Sequence, residues 1–383
     1  MAEETITKTM TNRFADVAEK IKSLDQTFIT YVLIFLIIFI VCMVLLNIVY
    51  TKRLETSQCS YMEKMYSDVN GKIKSICNNQ AESSDYLCNY YIKTAYNCCS
   101  GGSYKNDYVN VCNLKSVLKQ GARCLDFEIY SIDGMPVVST STNDNYYVKE
   151  TYNSLKFADA MKIIEMYGFG DGAPNKADPI ILHLRFKSEN QEMYKALANI
   201  FKSYTTRMLG KQYSYTNNDQ NLGLTPLKDM EGKIVLIVDE GNKSFAENIE
   251  LVEYVNATSN SGNIRIYQYF QAKNCPDIDE LENFNKGSFM SIVLPDGGVN
   301  PPNPSGDYAR ELGCQFVAMR YQYVDNFLLS DINFFDEAGY AFCRKPENVR
   351  FVPIVIPPPI EQDPALSYAP RKVTAPLGVT IKV

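Results

Sequence analysis

The sequence predicts a parallel β/α domain carried on a single membrane-spanning helix. An uncharged, almost wholly apolar stretch lies near the N-terminus, and strand-like segments then alternate with helix-like ones through the middle of the chain. Repeated proline from Pro353 onward marks where the folded part should stop. Strands separated by helices imply a parallel sheet, arranged as a barrel or as a doubly wound sheet. With 383 residues, 46% hydrophobic and 21% charged, the chain is long and apolar enough for a substantial core.

Residues 1–27 read as a polar segment and 28–50 as a transmembrane helix centred on YVLIFLIIFIVCMVLLNIVY. About 20 such residues span a bilayer core of roughly 30 Å. A cleaved signal peptide would have a shorter apolar region closer to the N-terminus and a small-residue cleavage site after it. A buried globular helix would keep a polar stripe. The lipid bilayer is therefore the expected partner of residues 28–50, crossed once. Lys8, Arg13, Lys20 and Lys22 lie on one side and Lys52, Arg53 and Lys64 on the other, so the positive-inside bias leaves the topology open.

Residues 51–113 read as a Cys-rich, membrane-proximal segment. Cys59, Cys77, Cys88, Cys98, Cys99 and Cys112 crowd into it without a Cys-x2-Cys pair, and the chain's one His, His183, is far away. That spacing fits no zinc site. Disulfides among these six are expected, which places the C-terminal bulk in an oxidising space or in a particle matured by a dedicated thiol oxidase. Asn242-Lys243-Ser244 and Asn256-Ala257-Thr258 fit the glycosylation sequon, a pattern short enough to arise by chance.

The β/α domain is assigned to 114–352. Arg123–Tyr130, Pro179–Phe186, Lys233–Asp239 and Cys314–Tyr321 read as strands. A helix follows the second, with Ser188 and Gln191 as a capping box and Met193, Leu197, Ile200, Phe201, Tyr204 and Met208 as its apolar stripe. Another is expected over Ser154–Met166. The tail, 353–383, should run extended, since repeated Pro prevents both helix and central strand.

Composition excludes some chemistry outright. A net charge of −6 argues against nucleic acid as a partner. A single His rules out any reaction needing two imidazoles and any His-rich metal centre. His183 reads as a hydrogen-bonded core residue, and Cys98 and Cys99 have no neighbouring base that would make them nucleophiles.

The strands also carry a family pattern. GARCLDFEIYSIDGMPVVSTS at Gly121–Ser141, PIILHLRF at Pro179–Phe186 and PLKDMEGKIVLIVD at Pro226–Asp239 resemble the X half of phosphoinositide-specific phospholipase C. Ile264–Gln268, Gly313–Gln322 and Gly339–Arg350 resemble its Y half. The resemblance implies a distorted TIM-type (β/α)8 barrel with its cleft at the C-terminal ends of the strands. The family reaction uses one His on the inositol 2-hydroxyl, another at the leaving oxygen, and Asn with acidic residues holding Ca2+ against the phosphate.

Transferred residue by residue, those parts are largely missing. The family's first His-Asn element aligns with Gly101 and Gly102, and its second His falls at Thr140. Two acidic positions survive as Asp126 and Glu128, while the last acidic ligand becomes Arg185. Asp126 and Glu128 share a strand face, and Arg185 should point toward them, replacing the metal with a built-in charge. These positions are expected to be vestigial, with no catalytic residue, metal or cofactor. The implied protein is a non-enzymatic, membrane-anchored phospholipase C-like pseudoenzyme. Its structural or interaction role would suit a minor capsid protein at a virion's internal membrane, with protein partners on the tail and barrel surface. The alternatives are a membrane-tethered phosphodiesterase and an inositol-lipid headgroup-binding protein.

Overall fold

The computed structural model describes residues 15, 19, 26–145, 147–217, 221–353, 357 and 370–382. Most of the polar N-terminal segment, and the Pro-rich stretch over most of 354–369, lie outside the described residues. The chain divides into two compact units, Met1–Arg350 and Phe351–Val383.

Helix α1 (Gln26–Met65) is 40 residues long. Its most apolar 18-residue window has a mean hydropathy of 3.4 and is wholly unburied, so it has the length and composition to cross a membrane. The helix does not stop at residue 50. No Gly or Pro interrupts it, so it continues through the charged residues 51–65 and docks on the following domain, where Met62 is buried.

Eleven strands form the main sheet: β1 (Tyr90–Ala95), β2 (Cys124–Ile132), β3 (Met135–Ser139), β4 (Leu155–Lys156), β5 (Ile180–Phe186), β6 (Ile234–Asp239), β7 (Ala257–Ser259), β8 (Ile264–Gln268), β9 (Met290–Leu294), β10 (Phe316–Met319) and β11 (Phe342–Arg344). Eight run parallel in the order β7-β6-β5-β2-β1-β10-β9-β8. Because β7 and β8 lie side by side without ladder pairing, the barrel is nearly closed. The barrel, not the doubly wound sheet, is the arrangement adopted. Strand β3 turns back on β2 through Asp133-Gly134, both at positive φ (51° and 72°), as a two-residue type I′ hairpin requires.

The barrel starts earlier than residue 114. Strand β1 lies within the segment read as a membrane-proximal stalk and pairs with both β10 and β2. Lys93 and Thr94 interrupt the apolar run that usually marks a strand buried on both faces, although both are buried here. The segment 51–113 is therefore the end of α1 plus the first part of the barrel.

Five longer helices follow α1: α2 (Val111–Lys119), α3 (Phe157–Gly168), α4 (Gln191–Lys202), α5 (Ile278–Lys286) and α6 (Asn326–Ala338). Helix α3 begins at Phe157 and not Ser154, because Leu155 and Lys156 pair with β3. Helix α4 is capped by Asn190, whose side chain accepts from the Glu192 amide at 3.0 Å, so the expected Ser188/Gln191 box is not its cap. The helix ends at Lys202, and Tyr204 and Met208 of the expected stripe lie beyond it. Leu125, Phe127 and Ile129 of β2 and Leu182, Leu184 and Phe186 of β5 join the core outside the barrel. By strand alternation, Asp126, Glu128, His183 and Arg185 face its interior. Register sets Asp126 beside His183 and Glu128 beside Arg185.

In the second unit, Lys372–Thr374 pairs antiparallel with Thr380–Lys382, with Gly378 at φ +76° between them. This described end of the tail pairs with itself and is not a single extended run.

Candidate functional site

The ends of β1, β2 and β5 converge on one buried ionic cluster. Arg185 donates through Nε to Asp126 Oδ1 at 2.9 Å and through Nη2 to Asp126 Oδ2 at 2.8 Å. The same Nη2 lies 3.3 Å from Glu128 Oε1. Planar guanidinium and planar carboxylate match fork to fork, the strongest geometry open to such a pair. Asp126, Glu128 and Arg185 are each about 1% exposed.

Every carboxylate oxygen in the pair Asp126 and Glu128 is engaged. Asp126 Oδ1 also meets His183 Nδ1 at 2.7 Å, and Oδ2 accepts from the Asn97 amide at 3.1 Å. Glu128 Oε1 accepts from Asn97 Nδ2 at 3.0 Å. Its Oε2 accepts from Tyr130 at 2.7 Å and from the Ser141 amide and hydroxyl at 3.0 and 3.1 Å. Burial alone would raise the Asp126 carboxyl, but Arg185 and His183 outweigh it and hold the group well below the usual carboxylate range. An ionised Asp126 can only accept, so His183 Nδ1 carries a proton. His183 Nε2 lies 2.8 Å from Ser259 Oγ, which makes this His an interior hydrogen-bonded residue.

Two further charges close the cluster from above. Asp144, on the segment between β3 and β4, contacts Arg185 Nη1 and lies 3.5 Å from Lys187 Nζ. Burial works against its charged form, yet Arg185 and Lys187 pull its carboxyl downward. The Tyr96 ring stacks on Arg185, 4.8 Å from the guanidinium carbon. Beyond Asp144 opens a cleft of about 440 Å³ walled largely by amides, among them Asn143, Asn242, Gln268 and Gln271, with Arg185 reaching it.

The other positions named by the resemblance fall elsewhere. Gly101 and Gly102 do not touch the carboxylates. A Cβ on Gly101 would sit 2.7 Å from Gln58 Oε1, and one on Gly102 2.6 Å from Gln58 Nε2 and also against Asp107. Their lack of a side chain makes room for the Gln58–Asp107 contact that docks α1. The residues that reach the cluster from just past the first strand are Tyr96 and Asn97. Burial pushes the Tyr96 phenol far up, with Arg185 opposing only in part. Thr140 is buried and donates to the Tyr104 carbonyl at 3.1 Å, apart from the ionic pair. Tyr96, Asn97 and Asp144 were not singled out in the sequence. A Tyr-Asn pair just past a β-rich run (YYIKTA) was the available signal for the first two.

Calcium, which the resemblance implies, does not fit this donor set. A divalent cation needs several oxygen ligands with free lone pairs. Here the ligand oxygens are taken by hydrogen bonds and a fixed guanidinium stands among them. Among the described residues, no group of three or more His, Cys, Asp or Glu is arranged to hold a metal.

Only one of the expected cysteine bridges forms. Cys59 of α1 joins Cys112 of α2, with Cα atoms 5.7 Å apart. Cys77, Cys88, Cys98 and Cys99 are buried free thiols. All four are at most 5% exposed, and burial pushes the Cys88 thiol up to about 12, which leaves it unreactive.

Residues 83–240 match the family model of the phosphatidylinositol-specific phospholipase C X domain. No curated protein sequence matches the chain. The crystal structure of L. pealei PLC21 superposes with a TM-score of 0.56 at 18% identity, over 70% of this chain and 38% of that one. S. officinalis PLC21 superposes with the same TM-score, identity and coverage. At that identity the superpositions establish the fold, a phospholipase C-type barrel, and this chain spans well under half the length of those proteins. The region 83–240 is phospholipase C-like by sequence and the barrel is phospholipase C-like by shape.

Proposed function

We propose that this chain is a membrane-anchored, phospholipase C-like pseudoenzyme that serves as a structural or interaction protein. One observation carries the reading: the Arg185 guanidinium sits between Asp126 and Glu128, where the family pattern calls for a bound cation. Two further features support it. A phenol that stays protonated at neutral pH, Tyr96, reaches the cluster where we place one His of the family pattern, and a buried hydroxyl, Thr140, is where the resemblance puts the other. Neither can relay protons as an imidazole does, and each lost acid or base costs a factor of roughly 10²–10⁴ in rate. Calorimetric titration of the full chain in detergent with Ca2+, together with a phosphatidylinositol cleavage assay, tests the proposal. No Ca2+ heat and no turnover are expected. Stoichiometric Ca2+ binding lost in Glu128→Ala, with turnover, would establish the membrane-tethered phosphodiesterase instead.

The finer role we propose is a link between a bilayer and a protein shell, as in a virion with an internal membrane. The cysteine pattern favours it. One disulfide beside six buried free thiols suits a chain folded under reducing conditions and then oxidised at one accessible pair. Finding the protein only in host membranes, and absent from purified particles, would refute this placement. The amide-walled cleft favours a second reading, an inositol-lipid headgroup-binding protein, recognised by headgroup binding without turnover.

A further inference from the structure

The barrel does not hang from its anchor on a free stalk. Asn110 Nδ2 donates to Glu55 of α1 at 2.6 Å, and the Cys59–Cys112 disulfide lies one turn further on. Five residues separate Glu55 from Tyr50, roughly 8 Å along a helix. The headgroup layer on each face of a bilayer is itself about 5–8 Å thick. A barrel clamped to α1 at that height has no gap to leave between itself and the lipid.

Tyr152 of the barrel lines one groove with Met43, Leu46, Asn47 and Tyr50 of the apolar part of α1. Tyr152 is half exposed, and its ring packs tilted against that of Tyr108, with centroids 5.4 Å apart. Its amide donates to the Asp107 carbonyl at 2.8 Å, on the residue that also receives Gln58 of α1. Tyr152 is thus held beside the span by the same contacts that dock the helix. The first charges past the span, Lys52 and Arg53, are exposed at this level. Tyrosines beside cations are the side chains that settle at a membrane–water interface, with the ring among acyl chains and the hydroxyl among headgroups.

We infer that Tyr50, Tyr108 and Tyr152 form an aromatic shoulder by which the barrel rests on the bilayer that α1 enters, so that the disulfide fixes the barrel against the lipid surface. The inference rests on the membrane-anchored reading of α1 and adds a second contact with the same bilayer. The chain has no Trp, so one introduced Trp reports alone. The full chain, reconstituted in vesicles of phosphatidylcholine brominated near the top of its acyl chains, would be compared with the same protein in unbrominated vesicles. Leu45→Trp reports on the span, and Tyr152→Trp or, as a second position, Tyr108→Trp on the shoulder. Loss of emission in brominated vesicles at Leu45→Trp and at both shoulder positions is expected. Quenching at Leu45→Trp with none at either shoulder position overturns the shoulder and leaves the anchor standing. No quenching at any position overturns the anchor as well.

Discussion

Arg185 and Asp126 meet through two parallel hydrogen bonds of 2.9 and 2.8 Å inside the barrel, with neither side chain open to solvent. Ions pay heavily to leave water, and here each is compensated only by the other and its immediate hydrogen-bond partners.

Removing one partner should therefore be costly. Arg185→Ala strands Asp126 and Glu128 as buried, unpaired carboxylates and is expected to lower stability by about 3–5 kcal/mol. Asp126→Ala should cost a similar amount, and the Arg185→Met/Asp126→Leu double replacement much less than the two single losses added. Chemical denaturation of the detergent-solubilised chain measures all three. Strict additivity would show that the two side chains are not coupled.

Two buried carboxyls should shape the pH profile in opposite directions. Burial raises Asp178 to about 6, and its Oδ2 has no hydrogen-bond partner. The folded state then holds this proton more tightly than the unfolded one, so stability rises as pH falls from 7 through 6 toward 4. Asp126 is depressed, so its contribution is present above about pH 4 and is lost as pH drops below that. Unfolding at pH 7, 5 and 3 should show a maximum near 5. Asp178→Asn should shrink the rise between 7 and 5 and leave the part due to Asp331, whose carboxyl burial also raises, and a rise unchanged in that variant assigns it to another group.

The single disulfide should matter, and the buried thiols should stay silent. Closing a loop of 53 residues by Cys59–Cys112 is expected to contribute about 2–4 kcal/mol. Reductant should lower the melting temperature of the native chain and leave Cys59→Ser unchanged. Mass spectrometry after native alkylation should find Cys275 and Cys343 labelled, and Cys77, Cys88, Cys98, Cys99, Cys124 and Cys314 labelled only after unfolding. A peptide linking any of those six to another cysteine would contradict the single-bridge arrangement.

Gly102 should be intolerant of any side chain. Its Cβ would press on Gln58 and Asp107, so Gly102→Ala is expected to cost about 1–3 kcal/mol. Hydrogen exchange should locate the damage in residues 51–65 of α1 and spare the cluster around Arg185. Protection lost at the cluster, with α1 unaffected, would return Gly102 to the site itself.

Much of the architecture was legible because it is written in local periodicity. The apolar run of α1, the strands β2, β5 and β6, and the shared face of Asp126 and Glu128 follow from spacing along the chain and alternation along a strand, while the placing of Arg185 beside them rested on the family resemblance. Strand β1 was not legible, because Lys93 and Thr94 hide a central strand whose burial depends on α6, where the Phe335 ring lies 5.9 Å from Lys93 Nζ. Tyr96 and Asn97 were missed for the same reason, since without β1 nothing places the residues that follow it beside the cluster.

The sequence by itself determined that one apolar helix precedes a parallel β/α domain, that two imidazoles are unavailable, and that Asp126 and Glu128 leave the same face of one strand. These are properties of composition and of short-range order, which survive without knowledge of neighbours. Only the tertiary structure decided which cysteines pair, that every oxygen of Asp126 and Glu128 is engaged, and that Asp144 closes the cluster. Those depend on residues dozens of positions apart arriving within 3–4 Å of one another, and no spacing rule along the chain carries that distance.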